Sequence, residues 1–275
     1  MSTSMSTAKR IFITGGASGL GRALAARYQG AGWRVAIGDV HDERLQETAR
    51  ALHVGHFRCD VRRVEDLEHV AKALVDTWGG VDVVVNNAGV ASGGVMEDIP
   101  LEEWARVVDI NLMGVVRGCK VFVPLLKKQR SGHVVNIASM AGLMNLPRMS
   151  TYNATKAAVI ALSETLRHEL AEHGVGVSVV CPSFFRTNLA ESLASSASPE
   201  TVSLTQRWVT KNKIGADAIA DRVYRAVARG DVHVLTHNDT KVAWLVKRML
   251  PYGVFTRLVD SGSKRILRSR KPEAG

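Results

Sequence analysis

Short, nearly unbroken apolar runs alternate along this chain with longer amphipathic segments. "RIFIT" (10–14), "RVAIGD" (34–39), "GHFRCD" (55–60), "DVVVN" (82–86), "GHVVNIA" (132–138), "VGVSVVC" (175–181) and "VHVLT" (232–236) are predicted strands. Several are apolar at successive positions instead of alternating, the pattern of a parallel sheet buried on both faces. Between them lie helix-length segments such as "LGRALAARYQGAG" and "VEDLEHVAKALVDTWG". This alternation, with right-handed crossovers, predicts an α/β fold: a doubly wound parallel sheet of about seven strands with helices on both faces. One domain over residues 8–238 is expected, followed by a basic helical extension over 239–275.

In such a sheet, ligands sit beyond the carboxyl ends of the strands, so the residues there are the candidates for function. The first strand runs into Thr14-Gly15-x-x-x-Gly19-x-Gly21, with Ser18 and Leu20 between, and straight on into a helix. Glycines there allow a tight turn and a close approach of backbone to a pyrophosphate. The second strand ends in Asp39, eighteen residues after Gly21. A carboxylate there accepts hydrogen bonds from both adenosine ribose hydroxyls and repels a 2′-phosphate, which favours NAD over NADP. Its alternative duty, capping the next helix, falls more naturally to Asp42. The third strand ends in Asp60-Val61, where the aspartate either meets an adenine amino group or caps a helix. The fourth leads into Asn86-Asn87-Ala88-Gly89, two amides that must be hydrogen-bonded at a buried strand end. The fifth ends near Ser139, and after a short loop Tyr152 and Lys156 stand one helical turn apart.

Together with Pro182 and Thr187 beyond the sixth strand, these motifs resemble the short-chain dehydrogenase/reductase family, in order and with its spacing, over about residues 8–236. The resemblance implies a Rossmann-type fold and an NAD-dependent oxidoreductase interconverting a secondary alcohol and a ketone. It implies Tyr152 as acid/base, Lys156 as the group that tunes it and holds the nicotinamide ribose, and Ser139 as the holder of the substrate oxygen. Asn111 in "VVDINLMG" would hold a water linking Lys156 to solvent, or cap a local helix irregularity, or both. Thr187 would bind the carboxamide and Asp60 the adenine, with Asn87, Ala88, Gly89 and Pro182 also beside the cofactor. A phenol of pKa about 10 is a poor base at neutral pH, so the ammonium and the positive nicotinamide ring are together expected to pull it down. The family's Pro-Gly is Pro182-Ser183 here, which predicts a shifted loop.

Composition sets the remaining limits. With 46% hydrophobic and 23% charged residues, the chain has a globular make-up. "MSTSMSTAKR" lacks the apolar core of a signal peptide, and no run approaches a membrane span. Cys59, Cys119 and Cys181 are scattered in apolar stretches, which predicts buried thiols in the cytoplasm and neither disulfides nor a metal site. Of the net charge of +10, nine Lys/Arg against two acidic residues place +7 in Lys241–Gly275. That unevenness argues against a general nucleic-acid surface. Two short helical stretches split by Pro251 and Gly253 read as an amphipathic element for an anionic membrane surface, or as a helix packed on its own sheet or on a neighbouring subunit. Leu143, Met144, Leu146, Met149, Phe184, Phe185 and Leu189 are expected to line an apolar pocket, with Arg148 and Arg186 nearby, which points to a lipophilic alcohol or ketone. The resemblance also implies a homodimer or homotetramer. A dinucleotide-sensing or scaffold protein on the same fold is the competing class, and it would be expected to lack part of the Ser139, Tyr152, Lys156 set.

Overall fold

The computed structural model describes residues 8–183, 214–257 and 259. Strands β1 (Arg10–Thr14), β2 (Arg34–Asp39), β3 (Gly55–Arg58), β4 (Val83–Asn86), β5 (Gly132–Ile137), β6 (Val175–Cys181) and β7 (His233–Leu235) form one parallel sheet in the order β3-β2-β1-β4-β5-β6-β7. The expected strands are all present, shorter by one or two residues at some ends. The order reverses between β1 and β4, and the residues beyond these strand ends make the site.

Side chains of a strand point to alternate faces, and both faces here are covered. Phe12, Val84, Val134 and Val177 pack on one side with Leu67, Val70, Phe122 and Val159. These come from α3 (Val64–Trp78), α5 (Gly114–Gln129) and α7 (Ser150–Leu170). Ile11, Ile13, Ile37 and Val85 pack on the other with Leu24, Tyr28, Leu45 and Val223, from α1 (Gly19–Gln29), α2 (Asp42–Leu52) and α8 (Ala216–Arg229). Arg10 clamps the start of β1 to that of β4, its Nη2 and Nε donating to the Asp82 carboxylate at 2.7 and 2.9 Å.

Helix α4 (Leu101–Val108) joins α5 through a π turn, Asp109–Met113. Short α6 (Met140–Met144) and long α7 follow β5. Helix α9 (Asn238–Met249) follows β7 and packs against α6. Residues 252–257 are helical again beyond Pro251, with Gly253 inside that helix, so the break falls at Pro251 and not also at Gly253 as expected. Residues 261–275, with the basic cluster Lys264–Lys271, lie outside the described residues.

Candidate active site

The glycine loop is shaped by contact as well as by turn geometry. Gly15 has φ +63°, and a Cβ on it would stand 2.8 Å from Ala88 Cα; one on Gly21 would stand 2.2 Å from Gly15 O. No side chain fits there, so the backbone of the loop and of α1's first turn stays open toward the strand ends. Thr14 joins two strand ends. Its hydroxyl accepts the N–H groups of Asn87 and Ala88 at 3.0 and 3.1 Å, tying β1 to β4. Asn87 returns the tie, its amide donating to Thr14 O and Gly15 O at 2.9 and 3.0 Å. Both residues shape the floor of the cleft. Asp39 stands at its side, its oxygens accepting from Ala17 N and His41 N, each at 3.1 Å. The cap of α2 is His41, not Asp42. A glycine cradle at a helix N-terminus, with a carboxylate held at the neighbouring strand end, fits an adenine dinucleotide.

Asn86 ties the next two strands together, as its position required: its Nδ2 donates to Asn136 Oδ1 at 2.9 Å, and Asn136 Nδ2 to Ser163 Oγ at 3.0 Å. Asp60 is neither cap nor free carboxylate. Arg62 grips it through Nη2 at 2.6 Å and through its backbone N–H at 3.0 Å, which holds the carboxyl below its usual range. The cap of α3 is Arg63. Val61 is buried against Gly114, where a methyl would stand 2.8 Å from Val61 Cγ2.

Beyond β5, Ser139 caps α6, its Oγ accepting from Ala141 N at 3.1 Å. The same hydroxyl hydrogen-bonds the Tyr152 phenol. One turn along α7, Lys156 Nζ donates to Ile137 O at 2.9 Å and stands 5.8 Å from the centre of the Tyr152 ring. Gly89 closes on this group: a methyl on it would lie 3.5 Å from Lys156 Nζ and 3.1 Å from Asn111 Oδ1. Asn111, in the π turn, is fully buried, its amide paired both ways with Val90: Oδ1 accepts from Val90 N at 2.8 Å and Nδ2 donates to Val90 O at 2.9 Å. The irregularity is there, but the amide pairs with the backbone of Val90 beyond β4 and not with the π turn that carries it. Burial pushes the Tyr152 phenol up to about 12, against the pull of the Ser139 bond, and pushes Lys156 down to about 8. Desolvation is the largest influence on both groups.

A sequence model of the short chain dehydrogenase family matches residues 9–198. The chain belongs to that family. It is 32% identical over 193 residues to 3-oxoacyl-[acyl-carrier-protein] reductase of Synechocystis sp., covering 68% of this chain and 78% of that protein. It is 35% identical over 188 residues to 2-(R)-hydroxypropyl-CoM dehydrogenase of Xanthobacter autotrophicus, covering 65% and 75%. A short chain dehydrogenase/reductase from Burkholderia phymatum, solved in complex with NAD, superposes with a TM-score of 0.83 at 33% identity, over 88% of this chain and 94% of that one. Like the family, this protein is an oxidoreductase acting on CH–OH groups with a nicotinamide dinucleotide.

In this short-chain dehydrogenase the expected substrate-lining residues divide. Leu143 is buried in the core and Met144 packs against it, so ordinary packing claims both. Met149 precedes α7 and bridges to Gly94. Phe184, Phe185, Arg186, Thr187 and Leu189 lie outside the described residues. Cys181 is a buried free thiol, as expected, and burial pushes it up to about 12. Sequence reasoning missed three residues at the root of the extension. Thr240 Oγ1 hydrogen-bonds Met140 Sδ at 3.3 Å, Lys247 Nζ donates to Leu143 O, and His237 Nδ1 accepts from Ser183 N at 3.3 Å. Only their apolar and basic surroundings are visible in the sequence, because the partners are distant along the chain.

Proposed function

We propose that the chain oxidises a lipophilic secondary alcohol, or reduces the matching ketone, with NAD as its dinucleotide. The observation that carries this is the grouping of three side chains beyond β5: Ser139, which draws the Tyr152 phenol down, Tyr152 itself, and Lys156 with its Nζ 5.8 Å from the centre of the Tyr152 ring. The dinucleotide, when bound, takes or gives the hydride. Thr14, Gly15, Ser18, Gly19, Leu20, Gly21, Asp39, Asp60, Val61, Asn87, Ala88, Gly89 and Pro182 would hold it, with Thr187 at the carboxamide. Ser139 would orient the substrate oxygen, and Tyr152 would exchange the proton at that oxygen. A positive charge added beside the buried pair favours the phenolate, opposing the upward push of burial. Lys156 would anchor the ribose, and Asn111 would fix the backbone of the π turn beside it. Asp39 supports NAD, since its carboxylate repels a 2′-phosphate.

The activities for which both relatives are named concern a ketone or a secondary alcohol, and Met149 with the sequence Phe184-Phe185 supports an apolar one. A homodimer or homotetramer in the cytoplasm fits the family and three buried free thiols. Among the described residues no helix is long and apolar enough to cross a membrane. The outer face of α9 exposes Val242, Leu245 and Met249 beside Lys241 and Arg248, which supports peripheral contact with an anionic bilayer.

Initial rates of NAD+ and NADP+ reduction with hydrophobic alcohols and polyols, in wild type and Tyr152→Phe, test the reading. NAD+-dependent oxidation of hydrophobic alcohols, falling by on the order of 10²-fold or more in the variant, is expected. A variant as fast as wild type, or a preference for polyols, would overturn the mechanism or the substrate class respectively.

A further inference from the structure

We propose that His237, at the root of the C-terminal extension, is a positioning residue for the cofactor side of the site. It fixes the turn after β6 in the place where this chain carries Ser183. The inference rests on the dinucleotide site proposed above.

Two segments meet where that turn leaves the sheet. Pro182 O accepts the Met140 N–H at 2.9 Å, joining the turn to the helix that Ser139 caps. The next backbone group, Ser183 N–H, donates to His237 Nδ1 at 3.3 Å, and Thr236 Oγ1 lies 2.8 Å from the same nitrogen. A backbone N–H can only donate, so Nδ1 is the acceptor and the ring proton sits on Nε2; the single Nδ1 lone pair is shared between the Ser183 N–H and the Thr236 hydroxyl. The ring is 3% exposed, directly after β7, and β7 pairs with β6 through Cys181↔Leu235. His237 is therefore carried by the strand next to the turn it holds. The extension grips the other side of the same unit through Thr240 on Met140 and Lys247 on Leu143. Ser139 and the Pro182–Ser183 turn are thus clamped from β7 and α9. A serine at 183 has less backbone freedom than glycine, and an acceptor in fixed position selects one path for it.

The test compares His237→Leu, which removes the acceptor, with His237→Asn, whose Oδ1 stands where Nδ1 does. Ser183→Pro removes the donor from the other partner. NADH affinity is read by fluorescence titration and KM for NAD+ by initial rates, with circular dichroism to confirm folding. Leu at 237 and Pro at 183 are each expected to weaken NADH binding and raise KM for NAD+ about tenfold, about 1.4 kcal/mol. KM for the alcohol should move less than twofold, and Asn should recover most of the affinity. A merely structural histidine would lower the melting temperature and leave KM for NAD+ in place. Unchanged NADH affinity in folded Leu and Pro variants, or Asn as impaired as Leu, would overturn the proposal. Wild-type NADH binding without any turnover would instead overturn the oxidoreductase reading, and the affinity comparison would still decide this one.

Discussion

Gly142→Ala is a one-methyl change that should separate the position of Ser139 from its chemistry. Gly142 lies in α6 where that helix crosses α7, and a Cβ there would stand 2.6 Å from both Ala157 N and Lys156 C. Those are backbone atoms of the helix that carries Tyr152 and Lys156, so no side chain can turn aside. Favourable contact begins near 3.5 Å, so the two helices must part by about 1 Å. Overpacking of this kind costs about 1–3 kcal/mol, which lowers Tm by several degrees in a chain of this size. The effect on rate is larger in proportion. Ser139 is the cap of α6 and hydrogen-bonds Tyr152, so parting the helices stretches that bond. A misplacement of about 1 Å can reduce turnover by about 10²-fold. The assay is kcat for NAD+-dependent oxidation of the best alcohol, with Tm from calorimetry. Gly253→Ala, where a Cβ meets nothing within 4 Å, is the control and should match wild type. A Gly142→Ala protein that loses Tm and keeps its kcat would refute the link between this crossing and catalysis.

Two further outcomes are expected. His133 is buried with Nε2 2.8 Å from Ser178 Oγ, whose own proton goes to Asp231 O, and burial pushes the imidazole down to about 4. A base depressed in the fold from about 6.5 stabilises above that value and loses the contribution as pH falls through 4, up to about 3 kcal/mol in all. Urea melts at pH 7 and pH 4 should show this loss in wild type and a smaller one in His133→Gln, and equal losses would refute it. For the outer face of α9, the full chain should sediment with vesicles containing anionic lipid and less so with neutral ones or in high salt. Leu245→Glu with Met249→Glu should abolish this, whereas self-association lost in that variant, without vesicle binding in wild type, would assign the face to a second copy.

The sheet was legible because buried parallel strands leave short apolar runs that no helix period explains. The catalytic set was legible because Tyr152 and Lys156 are held together by one helix turn. What the sequence hid is non-local. Nothing near Asp60 shows that Arg62 folds back onto its carboxylate until the turn between them is formed. Thr14 reads as the last residue of the first strand, and only the β1–β4 pairing brings its hydroxyl to Asn87. The upward push on Tyr152 depends on how completely α6, α7 and β5 exclude water, which no motif encodes. His237 and Ser183 are 54 positions apart and Lys247 and Leu143 are 104 apart, too far for spacing to join them.

The strand order also governs how the chain must be assembled. β1 lies between β2 and β4, and its clamp to β4 joins Arg10 to Asp82, 72 residues later. A nascent chain that has made β1, β2 and β3 still has an open edge on β1, and closing it costs the entropy of that loop before the pairing repays it. The last strand, β7, is three residues long and arrives after everything else in the sheet. Refolding should therefore be slow, and fragments ending before β4 should be prone to pair through the open edge of β1 with one another.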